Sequence, residues 1–360
     1  MKHLKLVLCV FAFPFILSCS SDSDSDEIIE TPSEKPAGPK YLPLNVEVGE
    51  IPMKDPTASS NTGTHRAPIT FLSDLSNFYL NYIYEEKEEG EMYYYYNREV
   101  WTADNDGKGR WTVGDSGQYG WPENAAPTTS FPENGKIPVT WYAYANYDVK
   151  GDNVGFQVND NDPYIPFTVE ESSTSQKDLL VSEKTDTWDS CKGNMYFLFR
   201  HVCSALKFHI KKATNVKERN ITVTEVKLHN VKNHGQFYFK SKSWASLSGA
   251  GYYTLLSSTN AFNLSSTEYR AMYAGTLSQD TENAYLFMLP QSLSAWNPAA
   301  GPVTSTTGAY LELNFIMDGQ NLTGYVPFQG TFEQGYKHNV NINLGKNSLY
   351  HADGSKIISE

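Results

Sequence analysis

The clearest covalent chemistry in the chain belongs to Cys19. It follows Ile16-Leu17-Ser18, and the four residues together read as a lipobox closing an export signal. Lys2 and Lys5 give the charged start, and Leu6 to Leu17 the apolar stretch. That stretch is shorter than the about 20 residues a membrane-spanning helix needs. Cleavage between Ser18 and Cys19 exposes the cysteine's thiol and amine to acylation with palmitate-type chains. The expected mature protein is therefore tethered by lipid. A buried core helix is the alternative for this stretch, but it explains neither the N-terminal position nor the cysteine at the apolar edge.

Other residues invite chemistry and mostly decline it. Asp104-Asn105-Asp106-Gly107 and Asn159-Asp160-Asn161-Asp162 offer oxygen ligands suited to calcium. The first lacks the closing glutamate of a calcium loop, since position twelve is Asp115. Asx residues and glycine also make tight turns unaided, so turns are expected and no metal. His201 sits in an apolar segment, where a hydrogen-bonded core or edge histidine is expected rather than a ligand. Tyr94, Trp101, Trp111 and Trp121 are candidate glycan contacts, because aromatic faces stack on sugars. The same cluster equally fits a sheet core with one exposed face. No nucleophile motif, phosphate-binding loop or metalloprotease helix is present. Glu85-Glu86 and Glu88-Glu89 read as a solvated hairpin tip, not a glycosidase pair. No catalytic residue, enzyme activity or cofactor is expected. Cys9 leaves with the signal, so Cys191 and Cys203 remain. They can pair in an oxidising compartment, yet Cys203 lies in an apolar strand that suits a buried free thiol.

The charge pattern narrows the partners. Residues 1–18 hold two lysines and no acids, so their removal takes the net charge from −12 to −14. Such a surface repels nucleic acid and anionic headgroups. Ser20 to Glu27 is a run of serine and acid that buries nothing, and Thr31 to Lys40 adds three prolines. Residues 19–40 are thus an extended tether. An acidic run directly after a lipidated cysteine resembles the surface-export signal of Bacteroidetes lipoproteins. That resemblance implies a body displayed outside the outer membrane.

The elements beyond the tether are strands. Leu44 to Val48 alternates, as does Phe78 to Tyr84, with Phe78, Leu80, Tyr82 and Tyr84 on one face. A polar turn leads into Met92 to Tyr96, which predicts a hairpin. Val139 to Tyr144 is another strand. Met195 to Ile210 is the longest apolar segment, and its aromatic and β-branched content favours one long strand over a helix. Ile221 to Leu228 alternates apolar with polar residues. Gln236 to Phe239, Tyr285 to Leu289, Ala309 to Ile316, Tyr325 to Phe328 and Tyr336 to Leu344 continue the style. The fold class is all-β, organised as two tandem β-sandwiches. Their expected limits are residues 41–235 and 236–360, with Thr185–Lys192 as the competing cut.

The order of local patterns resembles the fimbrillin family, the subunits of Bacteroidales type V pili. Thr64-His65-Arg66-Ala67-Pro68-Ile69-Thr70-Phe71 precedes the aromatic strand at Phe78. Tyr119-Gly120-Trp121-Pro122 is followed by Val139-Thr140-Trp141-Tyr142-Ala143-Tyr144-Ala145-Asn146. Asp178-Leu179-Leu180-Val181 precedes the run from Phe197 to Phe208. Val223 to Asn230, Leu289-Pro290-Gln291 and Gly335 to Ile342 complete the order. The resemblance implies transthyretin-like sandwiches, no catalysis, and a place at the outer membrane and in the fimbrium. It also implies assembly by donor-strand exchange: an Arg-specific protease removes the first strand, and a strand from another pilus subunit fills the groove. On this chain the removable strand is Leu44 to Val48 (Leu44, Val46 and Val48 inward) and the cleavage site Arg66-Ala67. Arg66 is the first arginine of the chain and lies in a polar stretch suited to proteolysis. The segment after Leu344 lacks the alternation of a donor strand, which suits a tip or accessory subunit and equally one that keeps its lipid as an anchor. Expected partners are other pilus subunits, the protease, the outer membrane through lipid, and a host or bacterial surface ligand. The alternative is a surface lipoprotein that binds glycans through its aromatic patch.

Overall fold

A computed structural model describes residues 44–54, 77–88, 91–96, 101–105, 111–113, 121–126, 129, 132–148, 151, 154–159, 162–249, 251–273 and 285–358. Its strands in chain order begin with β1 (Asn45–Ile51), β2 (Asn77–Glu88), β3 (Glu91–Tyr96), β4 (Trp101–Asn105), β5 (Trp111–Val113) and β6 (Val139–Ala145). Next come β7 (Gln157–Asn159), β8 (Asp162–Thr168), β9 (Leu180–Asp186), β10 (Asn194–His201), β11 (Ser204–Lys212) and β12 (Ile221–Val231). They are followed by β13 (His234–Tyr238), β14 (Ser243–Ser248), β15 (Gly251–Leu256), β16 (Phe262–Asn263), β17 (Arg270–Ala271) and β18 (Leu286–Met288). The last are β19 (Gln291–Leu293), β20 (Tyr310–Met317), β21 (Gln320–Pro327), β22 (Gly330–Phe332) and β23 (Lys337–Leu344). Helix among the described residues amounts to the single turn α1 (Trp188–Cys191) and a few 3-10 turns.

The largest sheet has eight strands in the order β3-β2-β4-β5-β1-β10-β9-β6, and β2 also pairs with β6. The path therefore closes on itself. Inside lie Phe78, Leu80, Tyr82, Tyr84, Trp121, Val139, Trp141, Phe197 and Phe199. The expected alternation of β2 is the reason: its even-numbered aromatics and Leu80 point inward. The predicted hairpin is present as β2–β3, running from Ile83↔Tyr96 to Glu88↔Glu91.

A second, larger core joins the outward-facing Tyr142, Tyr144, Leu179 and Val181 to strands β8, β11 to β13, β15, β20, β21 and β23. Here β11 pairs with β18 and, in parallel, with β23, while β12 lies between β15 and β20.

The structure departs from two sequence expectations. The segment Met195 to Ile210 is two strands, because Val202 and Cys203 carry the chain from one sheet into another. Val202 N–H donates to the Leu179 carbonyl at 3.2 Å, and the Cys203 carbonyl accepts from Gly335 at 2.9 Å. Both residues are fully buried, so nothing in their hydrophobicity marks the break. The alternation of β12 also skips twice. Ile221 and Val223 are in one phase, Val226 and Leu228 in the other, and Val231 returns to the first; all five are buried. Pairing with β20 passes over Thr224, and pairing with β15 passes over Asn230. Each bulge adds one residue and flips the inward phase. Asn230 takes a left-handed φ of 59°, and its amide donates to the carbonyls of Thr304 at 3.0 Å and Thr307 at 2.9 Å.

The 345–358 segment is packed against the body. Leu349 is fully buried and Ile358 nearly so. Tyr350 exchanges both backbone hydrogen bonds with Tyr325, at 2.8 and 3.0 Å.

Candidate functional site

The seat of β1 is the place where sequence and geometry converge. Along one edge, β1 pairs in parallel with β10 over its whole length, from Asn45↔Asn194 to Ile51↔Arg200. Along the other edge it meets β5 at one pair, Val46↔Trp111. Among the described residues the strand thus has one continuous ladder, to β10, and a single pair on its other side, to β5. Its ends are fastened separately. Asn45 N–H donates to the Gly193 carbonyl at 2.8 Å, and Asn45 Nδ2 to Asn194 Oδ1 at 3.0 Å. Past its end, Lys54 N–H donates to the Gly335 carbonyl and the Lys54 carbonyl accepts from Lys337, both at 2.8 Å. Lys54 Nζ lies 5.1 Å above the Tyr336 ring. Met53 is buried against Ala205, Tyr285 and Phe287.

Strand geometry sends alternate residues to opposite faces. Val46 is buried in the ring core with Met195, Phe197 and Phe199, and Leu44 and Val48 pack against that core. Glu50 continues the same inward phase. Its Oε1 is 2.8 Å from Nε2 of His201. On the far side of that imidazole, Nδ1 bonds Oδ2 of Asp178. The exposures of the three side chains are 21%, 1% and 0% for Glu50, His201 and Asp178.

Both ring nitrogens therefore face carboxylate oxygens, which accept and do not donate when ionised. This arrangement calls for the doubly protonated imidazolium. Burial alone would lower the His201 pKa; the Asp178 and Glu50 carboxylates outweigh it and push it up to about 9. Burial raises the Asp178 carboxyl, with the His201 contact opposing it. Asp178 Oδ1 has no hydrogen-bond partner among the described residues, so the Oδ2–His201 contact is what holds this carboxylate. Burial also drives the neighbouring Cys203 thiol well above its usual value.

The outward face of β1 is different in kind. Ile51, Tyr196 and Leu198 are 47%, 50% and 43% exposed. Tyr196 lies across Gly49, where an added Cβ would sit 1.9 Å from the phenol oxygen.

The remaining candidates fall elsewhere. Cys19, Ser18, Arg66 and Ala67 lie outside the described residues, as do the side chains of Tyr94, Trp101 and Trp111. Trp121 is fully buried, packs against Trp141 and Trp188, and donates its indole N–H to the Ala125 carbonyl at 2.9 Å. Its ring offers no face to a sugar. Asn159 pairs with Asp162 in the β7–β8 ladder, and Asp160 and Asn161 lie outside the described residues. Among the described residues no group of three or more acids, histidines and cysteines is placed to hold a metal. His201 is a hydrogen-bonded core histidine, as its apolar setting implies. Cys191 and Cys203 are both free thiols. Glu50 and Asp178 went unnoticed in the sequence as site residues. The available signal was an acid two residues beyond Val48, on the apolar phase of its strand.

Fold and site together define a multi-sheet β protein whose first strand is a separately fastened stave of a closed ring. The model of the fimbrillin-like family matches residues 80–357, and the chain belongs to that family. Among solved structures it is similar to a fimbrial protein from Bacteroides vulgatus, at 16% identity and a TM-score of 0.53, covering 85% of this chain and 95% of that one. It also matches a candidate cell adhesion protein from Bacteroides ovatus, at 14% identity and a TM-score of 0.45, covering 89% and 99%. Another from Bacteroides uniformis matches at 12% and 0.43, covering 86% and 95%. No curated protein matches the chain.

Proposed function

We propose that this chain is a structural and adhesive subunit of a surface fimbrium that joins neighbouring subunits by β-strand addition at the seat of β1. The observation that carries the reading is the asymmetric pairing of β1 among the described residues, seven pairs to β10 against one to β5. Withdrawing β1 breaks one ladder and uncovers the β10 edge together with the Met195, Phe197 and Phe199 core. An open edge above an apolar slot is a strong drive to accept another strand. Arg66-Ala67, in the connection between β1 and β2, is the proposed cut. The lipid on Cys19 tethers the precursor to the outer membrane, and no catalysis is involved.

The packed 345–358 segment supports an accepting rather than donating use of this region, as in a tip or accessory subunit. The fimbrial and adhesive descriptions of its structural relatives support the cellular role. We read the two cores as the two transthyretin-like halves of the family plan. β11 pairs with later strands, whereas β13 pairs back with β8, so the chain passes between the two cores more than once. The glycan alternative is weakened by the burial of Trp121.

The test is to treat the purified precursor with an Arg-specific protease. The expected product starts at Ala67 and takes up a labelled β1 peptide. Absence of that product, or a cut protein that never takes up a strand, would remove the assembly reading.

A further inference from the structure

The geometry points to His201 as a reader of acidic side chains in whatever strand occupies this seat: the incoming segment must bring a carboxylate to the position of Glu50. The inference rests on the strand-replacement reading above and names the chemistry of the partner segment.

Three inward positions define the seat. At 46 and 48 the neighbours are the apolar side chains of the ring core, and at 50 the neighbour is the His201 imidazole. The imidazole is 1% exposed and fixed from behind by the fully buried Asp178, so it does not leave with β1. In an emptied seat Asp178 still holds Nδ1, and the charged imidazole aims its Nε2 proton at the vacated position. Each class of incoming residue then meets a different fate. A carboxylate restores the charge-assisted bond. An amide accepts the proton but brings no charge. An apolar residue leaves the donor buried and unpaired, which costs its full desolvation. A lysine or arginine sets like charge against the imidazolium. The predicted partner is an extended segment with the inward pattern apolar, apolar, acidic. Val-Glu-Val-Gly-Glu (residues 46–50) of this chain is its resident example.

The experiment offers labelled peptides to the full chain cut by an Arg-specific protease. One has the sequence of residues 44–54, and the others carry Glu50→Gln and Glu50→Lys. The native peptide should bind on the order of tenfold more tightly than the Gln peptide, with the Lys peptide weakest. On a His201→Gln host the Glu-over-Gln preference should vanish. Equal binding of the Glu and Gln peptides, or a preference that survives His201→Gln, overturns the inference while leaving strand replacement intact. Failure of every peptide to bind removes strand replacement and this inference with it. A second readout needs no exchange at all. In the uncut chain, Glu50→Gln should speed amide exchange in β1, and His201→Gln should add nothing further to it. Unchanged β1 exchange in Glu50→Gln overturns the inference whatever the peptides do.

Discussion

Glu50 and His201 meet across the junction of two parallel strands, with Oε1 2.8 Å from Nε2. They are 151 residues apart in sequence, and one belongs to the strand proposed to leave while the other stays. The contact therefore makes retention of β1 depend on protonation. The groups facing the imidazole are Asp178 behind and Glu50 in front, with the Cys203 thiol beside Asp178. His201 is held above its ordinary 6.5, at about 9, in the folded state. A raised histidine contributes stability that is complete below its unfolded value and is lost as pH rises through the folded one. The window is thus about pH 6.5 to 9, and its size is about 3 kcal/mol for an isolated group. Asp178 is shifted in the same sense, its raised carboxyl favouring the protonated side. Denaturant midpoints measured across this window should fall for the wild type. His201→Gln should flatten the profile; an unflattened profile would assign the loss to other groups.

Two tightly packed glycines should respond unequally to the same substitution. A Cβ at Gly49 would meet the Tyr196 phenol oxygen at 1.9 Å, but that ring is half exposed and swings aside. Gly49→Ala should cost less than about 1 kcal/mol. A Cβ at Gly308 would meet the Ala295 carbonyl carbon and oxygen at 2.3 Å. That backbone is locked by Ala309 N–H donating to the Ser294 carbonyl at 2.7 Å and Trp296 N–H to the Ala309 carbonyl at 3.0 Å. Gly308→Ala should lose about 1–3 kcal/mol, as overpacking does. Equal melting temperatures for the two variants would show that the Ala295 turn yields as freely as a side chain.

Much of this fold was legible because burial here follows simple parity. Phe78, Leu80, Tyr82 and Tyr84 alternate in the sequence and are buried together. Parity failed where the chain spends an extra residue. Thr224 and Asn230 flip the phase of β12, and a bulge is chosen by partners far away in sequence, such as Thr304 and Thr307 for Asn230. It failed again at Val202-Cys203, where apolar residues continue through a change of sheet. The site was half legible. The first strand and His201 stand out locally, but the links from His201 to Glu50 and Asp178 need the strand order β1-β10-β9, which no local pattern encodes.

The two free thiols should separate cleanly in reactivity. Burial raises both, but Cys203 is fully buried while Cys191 is partly exposed at the end of α1. The thiolate is the reactive form, so access and pKa act together. Alkylation of the native protein followed by peptide mapping should label Cys191 slowly and leave Cys203 untouched until denaturant is added. Rapid native labelling of Cys203 would mean that the β10–β11 junction opens far more readily than its packing allows.

Trp121 separates the structural from the sugar-binding use of the aromatic cluster. Its ring is enclosed by Trp141 at a centroid distance of 6.0 Å and Trp188 at 5.9 Å, and its N–H is satisfied by the Ala125 carbonyl. Trp121→Ala empties a core site and leaves that carbonyl without its donor, so about 3–5 kcal/mol of stability should be lost. A glycan-stacking tryptophan behaves differently, because its removal abolishes binding and leaves folding nearly unchanged. Urea denaturation and glycan binding measured on the same variant decide between the two. A variant with an unshifted midpoint and lost glycan binding would move Trp121 from the core of the ring to a recognition surface, and would reopen the aromatic patch as the functional site.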